Sequence, residues 1–490
     1  MSTPAADDAT PKARVVAQTP RRSANAKITH LSPAEHLARG KSARAQVPRA
    51  SQASWVAPAD RPDPIALLEE QAATRVPELV PIRHGRMLVS PFTFFRGAAY
   101  VMAWDLAHTP VSGLITQLCG DAHLSNFGGF ASPERRMVFD INDFDETLPG
   151  PWEWDVKRLA ASFEIAARDR GFSAKQRRRA VPHVALAYRN AMAEFAEMRD
   201  LDVWYSHLDI DAMLPQLEQF VGAKQTQNVE RNLAKAQTKD SMKALSKLTH
   251  LVDGQPKILS DPPLVVPIDE LFSEMEAGEI ERTIRELIRR YRSSLQNDRR
   301  VLVEHFRVAD VARKVVGVGS VGTRAWIVLM LGRDEQDPLF LQVKEADASV
   351  LERFVGASSF KNHGQRVVEG QRLMQASSDI FLGWIRASGV DGVERDFYFR
   401  QLWDWKASAQ IETMVPKGLV AYADICGWTL ARAHARSGDR IAIAGYLGKS
   451  PVFDEAIADF SAAYADQNDL DYKVFKAAVD SGRLHAETGL

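Results

Sequence analysis

The sequence has few cysteines, no long apolar run and almost no net charge. Only Cys119 and Cys426 occur among its 490 residues, which predicts a reducing environment without a disulfide framework. No apolar run approaches about 20 residues, so we expect no membrane span and no membrane partner. The formal net charge is -1 at pH 7, which gives no indication of a nucleic-acid partner. Together these absences predict a cytoplasmic protein.

Two polar loops lie close together in the first third of the chain. The first runs from Gly120 and contains Asp121 and, five residues later, Asn126; the second contains Asp143 and Asp145. Phosphoryl transfer to a hydroxyl needs a carboxylate that holds the acceptor and oxygen ligands that bind Mg²⁺. The pattern therefore predicts Asp121 as the catalytic base, with Asn126, Asp143 and Asp145 as metal ligands. A pair of Asp-rich surface turns is the alternative.

A glycine-rich turn lies between two predicted strands, and the next strand ends in a lysine. The turn contains Gly317, Gly319, Ser320 and Gly322, and the lysine is Lys344. Glycines let backbone amides approach phosphates, and a strand follows this turn where a Rossmann fold has a helix. A glycine loop between strands, with a lysine on the third strand, is typical of kinase nucleotide sites. The pattern predicts a nucleotide site; a tight hairpin without a ligand is the alternative.

Two further predictions complete this nucleotide site. A kinase lysine needs a carboxylate on a nearby helix; Glu369 is the first candidate partner of Lys344, and Glu352 is the second. The stretch from Phe397 to Lys406 changes from an apolar strand to a mixed aromatic and polar segment. This change predicts the hinge that binds the nucleotide base, with Gln401 in it. Packing of the aromatic side chains in a core is the alternative.

The first pair of loops resembles a known family of enzymes. Gly120 to Asn126 resembles the catalytic loop of aminoglycoside and choline kinase-like phosphotransferases, and Asp143-Phe144-Asp145 resembles their metal-binding turn. Pro151 to Asp155 resembles the segment that opens their following helix, and the resemblance implies that Asp155 braces the catalytic loop. Cys119 stands where that family often has His, so we expect this bracing to differ. The resemblance implies ATP and Mg²⁺ as cofactors.

The chain as a whole resembles the bacterial family known as domain of unknown function 2252, over about residues 30–485. The motifs that carry this resemblance are Arg86-Met87, Ser90-Pro91-Phe92, Arg96-Gly97, Gly120 to Gly128, Asp140 to Glu146 and Gly364 to Arg372. The family name implies no activity, so the functional hypothesis depends on the site residues.

The order of the motifs differs from that of kinases. Kinases encode the glycine loop and the lysine before the catalytic Asp, whereas here Asp121 and Asp143 precede Gly317 and Lys344. A circular permutation explains this order and is tolerated when the new chain break falls in an exposed loop. Leu419 to Ser437 supports it, because this segment resembles the helix that normally precedes the catalytic loop. Coincidence between two unrelated motifs is the alternative.

We therefore expect an α+β, bilobal, protein-kinase-like fold in circularly permuted order, with a β-rich nucleotide lobe and a mainly helical lobe. Residues 1–55 are polar and basic without apolar periodicity, which predicts a disordered arm. Residues 56–222 are expected to hold the catalytic loop and the metal site, and residues 223–305 to form a helical connector. Residues 306–405 are expected to form the nucleotide lobe, and residues 406–490 the remaining helices.

The favoured hypothesis is an ATP- and Mg²⁺-dependent transferase. It moves a phosphoryl or nucleotidyl group to a hydroxyl of an unknown small-molecule or protein acceptor. One alternative is a nucleotide-binding pseudokinase that acts as a regulatory module. The other is a metal-dependent hydrolase that uses only the carboxylates between residues 121 and 146. The sequence gives no indication of the oligomeric state.

Overall fold

The computed structural model describes residues 29–272, 277–315, 317–389, 391–402 and 404–489. Helices and antiparallel strands are both abundant, so the predicted α+β class is confirmed. Among these residues no helix has the length and apolar character needed to cross a membrane.

The helices occur along the whole described chain. The first are α1 (Pro33–Gln46), α2 (Pro64–Ala72), α3 (Val80–Met87), α4 (Pro91–Gly97), α5 (Ala99–Ala107), α6 (Trp152–Asp169) and α7 (Ala174–Glu197). The middle ones are α8 (Asp200–Tyr205), α9 (Ile210–Val221), α10 (Ala223–Gln237), α11 (Ser241–Leu248), α12 (Ile268–Leu271), α13 (Ala277–Ser293) and α14 (Asn297–Glu304). The last are α15 (Glu352–Val355), α16 (His363–Met374), α17 (Pro416–Ser437), α18 (Arg440–Leu447) and α19 (Val452–Asp480).

The strands form two groups along the chain. The first group is β1 (Ile115–Leu118), β2 (Phe127–Ala131), β3 (Met137–Ile141), β4 (Leu148–Pro151) and β5 (Leu208–Asp209). The second is β6 (Thr249–Val252), β7 (Gln255–Ile258), β8 (Val265–Pro267), β9 (Arg307–Lys314), β10 (Ala325–Leu331), β11 (Pro338–Glu345), β12 (Gly383–Ser388), β13 (Glu394–Gln401) and β14 (Ala407–Ser408).

The largest sheet among the described residues has six antiparallel strands in the order β12-β13-β11-β10-β9-β8, and we call it the large sheet. A smaller sheet has the order β14-β2-β3-β5, and β1 pairs with β4. In the large sheet Lys344 lies opposite Ala325 on one side and Tyr398 on the other. This register places Lys344 in the interior of the sheet, near the end of β11.

Apolar residues cover both faces of the large sheet, which explains the nearly continuous apolar runs in β10 and β11. On one face Tyr291 of α13 stacks on Phe399, with ring centroids 4.1 Å apart. On the other face Ala244 of α11 and Ile258 of β7 are buried in a cluster with Phe340. Segments that precede β9 in the chain therefore cover the large sheet on both sides.

Most of the other helices form a second body, which we call the helical body. Its apolar core includes residues from Ile65 of α2 to Leu484 beyond α19. Almost every residue of α6 is buried, so this helix lies at the centre of the body. Helices on either side of the large sheet in the chain, such as α7 and α17, pack together there. The small sheet and the β1–β4 pair carry the predicted catalytic loop and acidic turn.

The predicted disordered arm, residues 1–55, is wrong in its second part. Residues 1–28 lie outside the described residues, but Pro33–Gln46 form α1, with Ser32 and Glu35 in a capping box. Helix α1 has few large apolar residues, because it packs on α18 through small residues. A Cβ built on Gly40 would lie 1.9 Å from the carbonyl oxygen of Ala442. Such close backbone contact leaves no apolar periodicity in the sequence.

The predicted helical connector, residues 223–305, contains more than helices. It also contains the β6–β7 hairpin and strand β8, which lies at the edge of the large sheet. Asp253 and Gly254 form the hairpin turn, both with positive φ (49° and 76°), as two-residue hairpins favour. Residues 273–276 of the connector lie outside the described residues.

The contact at Gly40 gives a stability prediction. We expect Gly40→Ala to lower the free energy of unfolding by about 1–3 kcal/mol, because the added methyl group forces α1 away from α18. The matched control is Lys41→Ala on the exposed side of α1, which should change stability by less than about 0.5 kcal/mol. Thermal unfolding monitored by circular dichroism measures both. An unchanged or higher midpoint for Gly40→Ala would contradict the docking of α1.

Candidate active site

The predicted catalytic loop begins at the end of β1 and is held by the start of α6. The backbone N–H groups of Cys119 and Gly120 donate to the carboxylate of Asp155, at 2.8 and 3.1 Å. Gly120 has a φ of 84°, and a Cβ there would lie 2.3 Å from the carbonyl oxygen of Glu146. Glycine is therefore required where the loop passes the acidic turn. The Asp155 contact agrees with what the kinase resemblance implies.

A histidine from a distant helix supports Asp155. Nε2 of His434, on α17, lies 3.3 Å from the carboxylate of Asp155. Nδ1 of the same ring lies 2.8 Å from the hydroxyl of Tyr188. The loop has Cys119 in place of the histidine of the kinase-like family, and here a histidine reaches Asp155 from another part of the chain.

Asp121 lies in the lining of a cavity of about 550 Å³ and has one carboxylate oxygen engaged. Arg158 of α6 donates from Nε to Oδ1 of Asp121 at 2.6 Å. The second oxygen, Oδ2, lies 3.8 Å from Nε2 of His123, which is beyond hydrogen-bond distance. Burial raises the pKa of Asp121, and the Arg158 charge partly offsets this effect. The geometry leaves Oδ2 able to accept a hydrogen bond from a hydroxyl in the cavity.

Asn126 and Asp143 line the same cavity as Asp121. The amide nitrogen of Asn126 donates to the backbone carbonyl of Asp121 at 2.8 Å, which directs the amide oxygen away from that contact. One oxygen of Asp143 accepts from the backbone N–H of Asp145 at 3.2 Å. Within the described ranges no three His, Cys, Asp or Glu side chains form a group able to hold a metal. Asn126 and Asp143 fit Mg²⁺, which keeps few protein ligands and completes its shell with phosphate and water oxygens.

Asp145, predicted as a metal ligand, has both carboxylate oxygens in other contacts. It forms an ion pair with Lys344 and accepts hydrogen bonds from Tyr398, at 2.6 Å, and Ser320, at 3.2 Å. Burial alone would raise the pKa of Asp145, but the Lys344 charge and these hydrogen bonds lower it below its ordinary value. The pairing raises the pKa of Lys344 despite its burial. Asp145 therefore joins the acidic turn to the large sheet, and both of its carboxylate oxygens already have partners within the protein.

The predicted partners of Lys344 lie elsewhere. Glu369 lies 3.5 Å from Arg372 on the same helix, so the prediction of a Lys344–Glu369 ion pair is wrong. Glu352 lies 3.6 Å from His363. The physical reason is that α16 directs Arg366, rather than a carboxylate, towards the acidic turn.

Arg366 anchors the backbone of that turn. Its guanidinium donates to the carbonyl oxygens of Asp145, Thr147 and Asp347, each at 2.8 Å. The turn is thus held by a cation on its backbone and by a second cation, Lys344, on its side chain. Arg366 was not predicted as a site residue, because the kinase pattern calls for a glutamate on this helix and not for an arginine.

The glycine-rich turn lies against the helices that precede the catalytic loop. The backbone N–H of Val76 donates to the carbonyl of Gly322 at 2.8 Å, and Arg86 donates to that of Gly317 at 2.6 Å. Gly317 and Gly322 have φ values of 69° and 91°, which favour glycine. Val316, inside the predicted motif, lies outside the described residues. Two points of the turn are therefore fixed to the segment between α2 and α4.

The predicted hinge does not reach the 550 Å³ cavity. Gln401 lines a separate cavity of about 310 Å³, and its backbone N–H donates to Asp379 at 2.5 Å. The backbone N–H of Trp405 donates to the carbonyl of Lys239 at 3.0 Å, so the connector already binds this segment. Trp403 lies outside the described residues. The role predicted for Gln401 in nucleotide binding has no support from this placement.

The structure brings most of the predicted site residues together. Those that line the 550 Å³ cavity are Asp121, Asn126, Asp143, Asp145, Gly317, Gly319 and Ser320. Lys344 is joined to this group through Asp145. Gly322, Glu369 and Gln401 do not line the cavity. Residues that sequence analysis missed include Arg75, Arg96 and Tyr100 in the lining; the only sequence signal for them was the motif that contains Arg96.

Comparison with known proteins identifies the family. A family model described as "Uncharacterized protein conserved in bacteria (DUF2252)" matches residues 75–478, and the chain belongs to this family. Neither the curated proteins nor the solved structures gave a match. The matched range includes the cavity-lining residues from Arg75 to Arg353.

The pairing of Lys344 with Asp145 gives a testable energetic prediction. We expect Lys344→Met to lower the free energy of unfolding by about 3 kcal/mol, because it leaves a partly buried carboxylate without its cation. The estimate is at the low end for a buried pair, since the Asp145 side chain is 27% exposed. The double variant Lys344→Met/Asp145→Asn should recover part of this loss. Urea unfolding of the single and double variants measures the coupling between the two residues.

The matched control is Glu369→Gln, which removes the partner that the sequence predicted. Because the ion pair of Glu369 with Arg372 lies within one helix and both side chains are partly exposed, this change should alter stability by less than about 0.5 kcal/mol. Coupling of Lys344 to Glu369, with none to Asp145, would contradict the pairing in the structure.

Proposed function

We propose that this protein is an ATP- and Mg²⁺-dependent transferase that moves a phosphoryl group to a hydroxyl acceptor. One observation carries the proposal. A single cavity is lined by Asp121, Asn126 and Asp143 from one part of the chain and by the glycine-rich turn from another. These are the parts that phosphoryl transfer needs: a group that holds the acceptor, metal ligands and backbone amides for phosphates.

Each group has a role that follows from its contacts. Asn126 and Asp143 would hold Mg²⁺, which neutralises charge on the nucleotide phosphates when it is bound. Oδ2 of Asp121 is available to orient an acceptor hydroxyl, since Arg158 occupies the other oxygen. Lys344 lies beside Asp145 at the base of the glycine-rich turn, where a cation can approach phosphate oxygens.

The topology of the large sheet supports a kinase-like relationship. Strands β9, β10 and β11 are consecutive neighbours, with the glycine-rich turn between the first two and Lys344 on the third. Helix α16 then precedes β12 and β13. This is the order of glycine loop, lysine strand and helix in the nucleotide lobe of protein kinases.

A circular permutation would account for the chain order. The catalytic loop, β2, β3 and the acidic turn follow one another as they do in kinases, but before the large sheet in the chain. Helix α17, which follows the large sheet, returns to the catalytic loop. The Tyr422 hydroxyl on α17 donates to the carbonyl oxygens of Leu124 and Phe127, at 2.8 and 3.1 Å. Helix α17 thus supports the loop that it would precede in an unpermuted chain.

A nucleotide-binding regulatory protein without transferase activity is the second candidate. The ion pair between Arg158 and Asp121 favours it, because it reduces the ability of that carboxylate to accept a proton. Nucleotide binding without any product would decide for this candidate.

The proposal predicts that nucleotide turnover depends on Asp143 and on Lys344. With Mg²⁺ and ATP, we expect Asp143→Ala and Lys344→Met each to reduce turnover by about 100-fold or more, because each removes charge stabilisation at the phosphates. Chromatography of the nucleotide products measures the rate. The same measurement separates phosphoryl transfer, which releases ADP, from nucleotidyl transfer, which releases pyrophosphate from ATP.

The matched control is Asp334→Asn, which removes an exposed carboxylate from the turn between β10 and β11. It should leave turnover unchanged. A metal-dependent hydrolase would instead lose activity in Asp143→Ala and retain it in Lys344→Met. Full turnover in Asp143→Ala would refute the proposed function.

A further inference from the structure

Arg96 is a half-buried cation between the two loops that form the proposed site. It lies near the end of α4 and lines the 550 Å³ cavity together with Asp121 and Asn126. Its Nε is buried and has no hydrogen-bond partner among the described residues. Burial lowers the pKa of Arg96, while the charges of nearby carboxylates, Asp121 first, oppose this effect.

The glycine-rich turn lies directly on the backbone of Arg96. A Cβ built on Gly319 would lie 3.2 Å from the carbonyl oxygen of Arg96, a contact closer than most side chains allow. Arg96 therefore touches the phosphate-covering turn through its backbone, and its side chain shares the cavity with Asp121. This is the junction between the loop proposed to cover the donor and the loop proposed to hold the acceptor.

Arg96 is not needed to neutralise the carboxylate of Asp121. Arg158 forms the ion pair with Asp121, and its guanidinium is almost fully buried in that contact. Among the described residues, the ion pairs within 4 Å do not include Arg96. A half-buried guanidinium without a bound carboxylate has N–H groups available for an anion in the cavity.

Arg75 adds a second guanidinium to the same wall. It is 9% exposed and lines the cavity, and one of its terminal nitrogens donates to the carbonyl of Val321 in the glycine-rich turn. Its Nε has no hydrogen-bond partner among the described residues. Arg353, by contrast, lines the cavity with its guanidinium bound to Glu70 at 2.8 Å. The cavity lining therefore contains two arginines, Arg75 and Arg96, whose Nε atoms have no hydrogen-bond partner among the described residues. The guanidinium of a third, Arg353, is bound to Glu70.

We infer that Arg96 binds the terminal phosphate of the nucleoside triphosphate, with Arg75 as a second contact beside the glycine-rich turn. This inference rests on the proposed function. Guanidinium groups match phosphate oxygens in a planar, bidentate geometry and stabilise the charge that these oxygens carry during transfer. Neither arginine belongs to the glycine loop, lysine, catalytic Asp and metal Asp of the kinase resemblance.

The acceptor oxygen forms a bond to the terminal phosphorus while the bond from that phosphorus to the bridging oxygen breaks. The hydroxyl proton passes to Asp121, and ADP leaves with the bridging oxygen. Arg96 contacts the oxygens of the group in transit and exchanges no proton.

The test is the ratio of affinities for Mg²⁺·ATP and Mg²⁺·ADP, measured by isothermal titration calorimetry on the full chain. We expect the wild type to bind ATP more tightly than ADP. Arg96→Met should weaken ATP binding by about 10- to 100-fold through loss of a charge-assisted contact and leave ADP binding unchanged. Arg96→Lys keeps the charge without the planar fork and should fall between the two. The thermal midpoint of unliganded Arg96→Met should not fall, which separates a binding defect from misfolding.

The matched control is Arg353→Met, which removes the same charge from the same cavity at a satisfied position. It should leave the ratio of the two affinities as in the wild type. Equal effects of Arg96→Met on ATP and ADP, or no effect on either, would overturn the inference while the proposed function stands. If the wild type binds neither nucleotide but binds inorganic triphosphate, and Arg96→Met loses that binding, the anion site stands and the proposed function fails.

Discussion

The ion pair between Lys344 and Asp145 connects the large sheet to the acidic turn, and the cavity depends on it. The Lys344 side chain is almost fully buried, and a buried charge is tolerated only when it is paired and hydrogen-bonded. Tyr398, on the neighbouring strand, donates to the same carboxylate, and Arg366 holds the backbone of the same turn. With these contacts the turn has one position relative to the sheet. Asp143 is fixed in the cavity as a result, opposite the glycine-rich turn.

The sequence was most informative where chemistry is local. Asp121 and Asn126 lie five residues apart in one loop, so their amide-to-carbonyl contact follows from the loop itself. The glycine-rich turn and Lys344 were recognisable for a similar reason, since positive φ and a strand register are local properties. The α+β class was equally accessible, because helical and strand periods differ in the sequence.

The features that the sequence did not predict depend on contacts between residues that are far apart in the chain. From the sequence alone, several carboxylates could pair with Lys344. In the folded structure its partner is Asp145, whereas Glu369 pairs with Arg372. The contacts of Arg366 and Arg96 were not predicted, because an arginine in a helix has the same local pattern whether it faces water or a cavity. Helix α1 was missed because Gly40 contacts α18 through its backbone, and hydrophobic periodicity does not report contacts of that kind.

The charges in the cavity are of the kinds that the proposed metal-bound phosphate would need. Asp143 uses one oxygen in a backbone contact, and Arg96 has a buried Nε without a partner in the described structure. A simple anion would satisfy Arg96 and repel Asp143, whereas a simple cation would do the opposite. A phosphate that carries Mg²⁺ offers a cation to Asp143 and Asn126 and an anion to Arg96. Because one cavity contains both negative and positive side chains, we expect a ligand that carries both a cation and an anion.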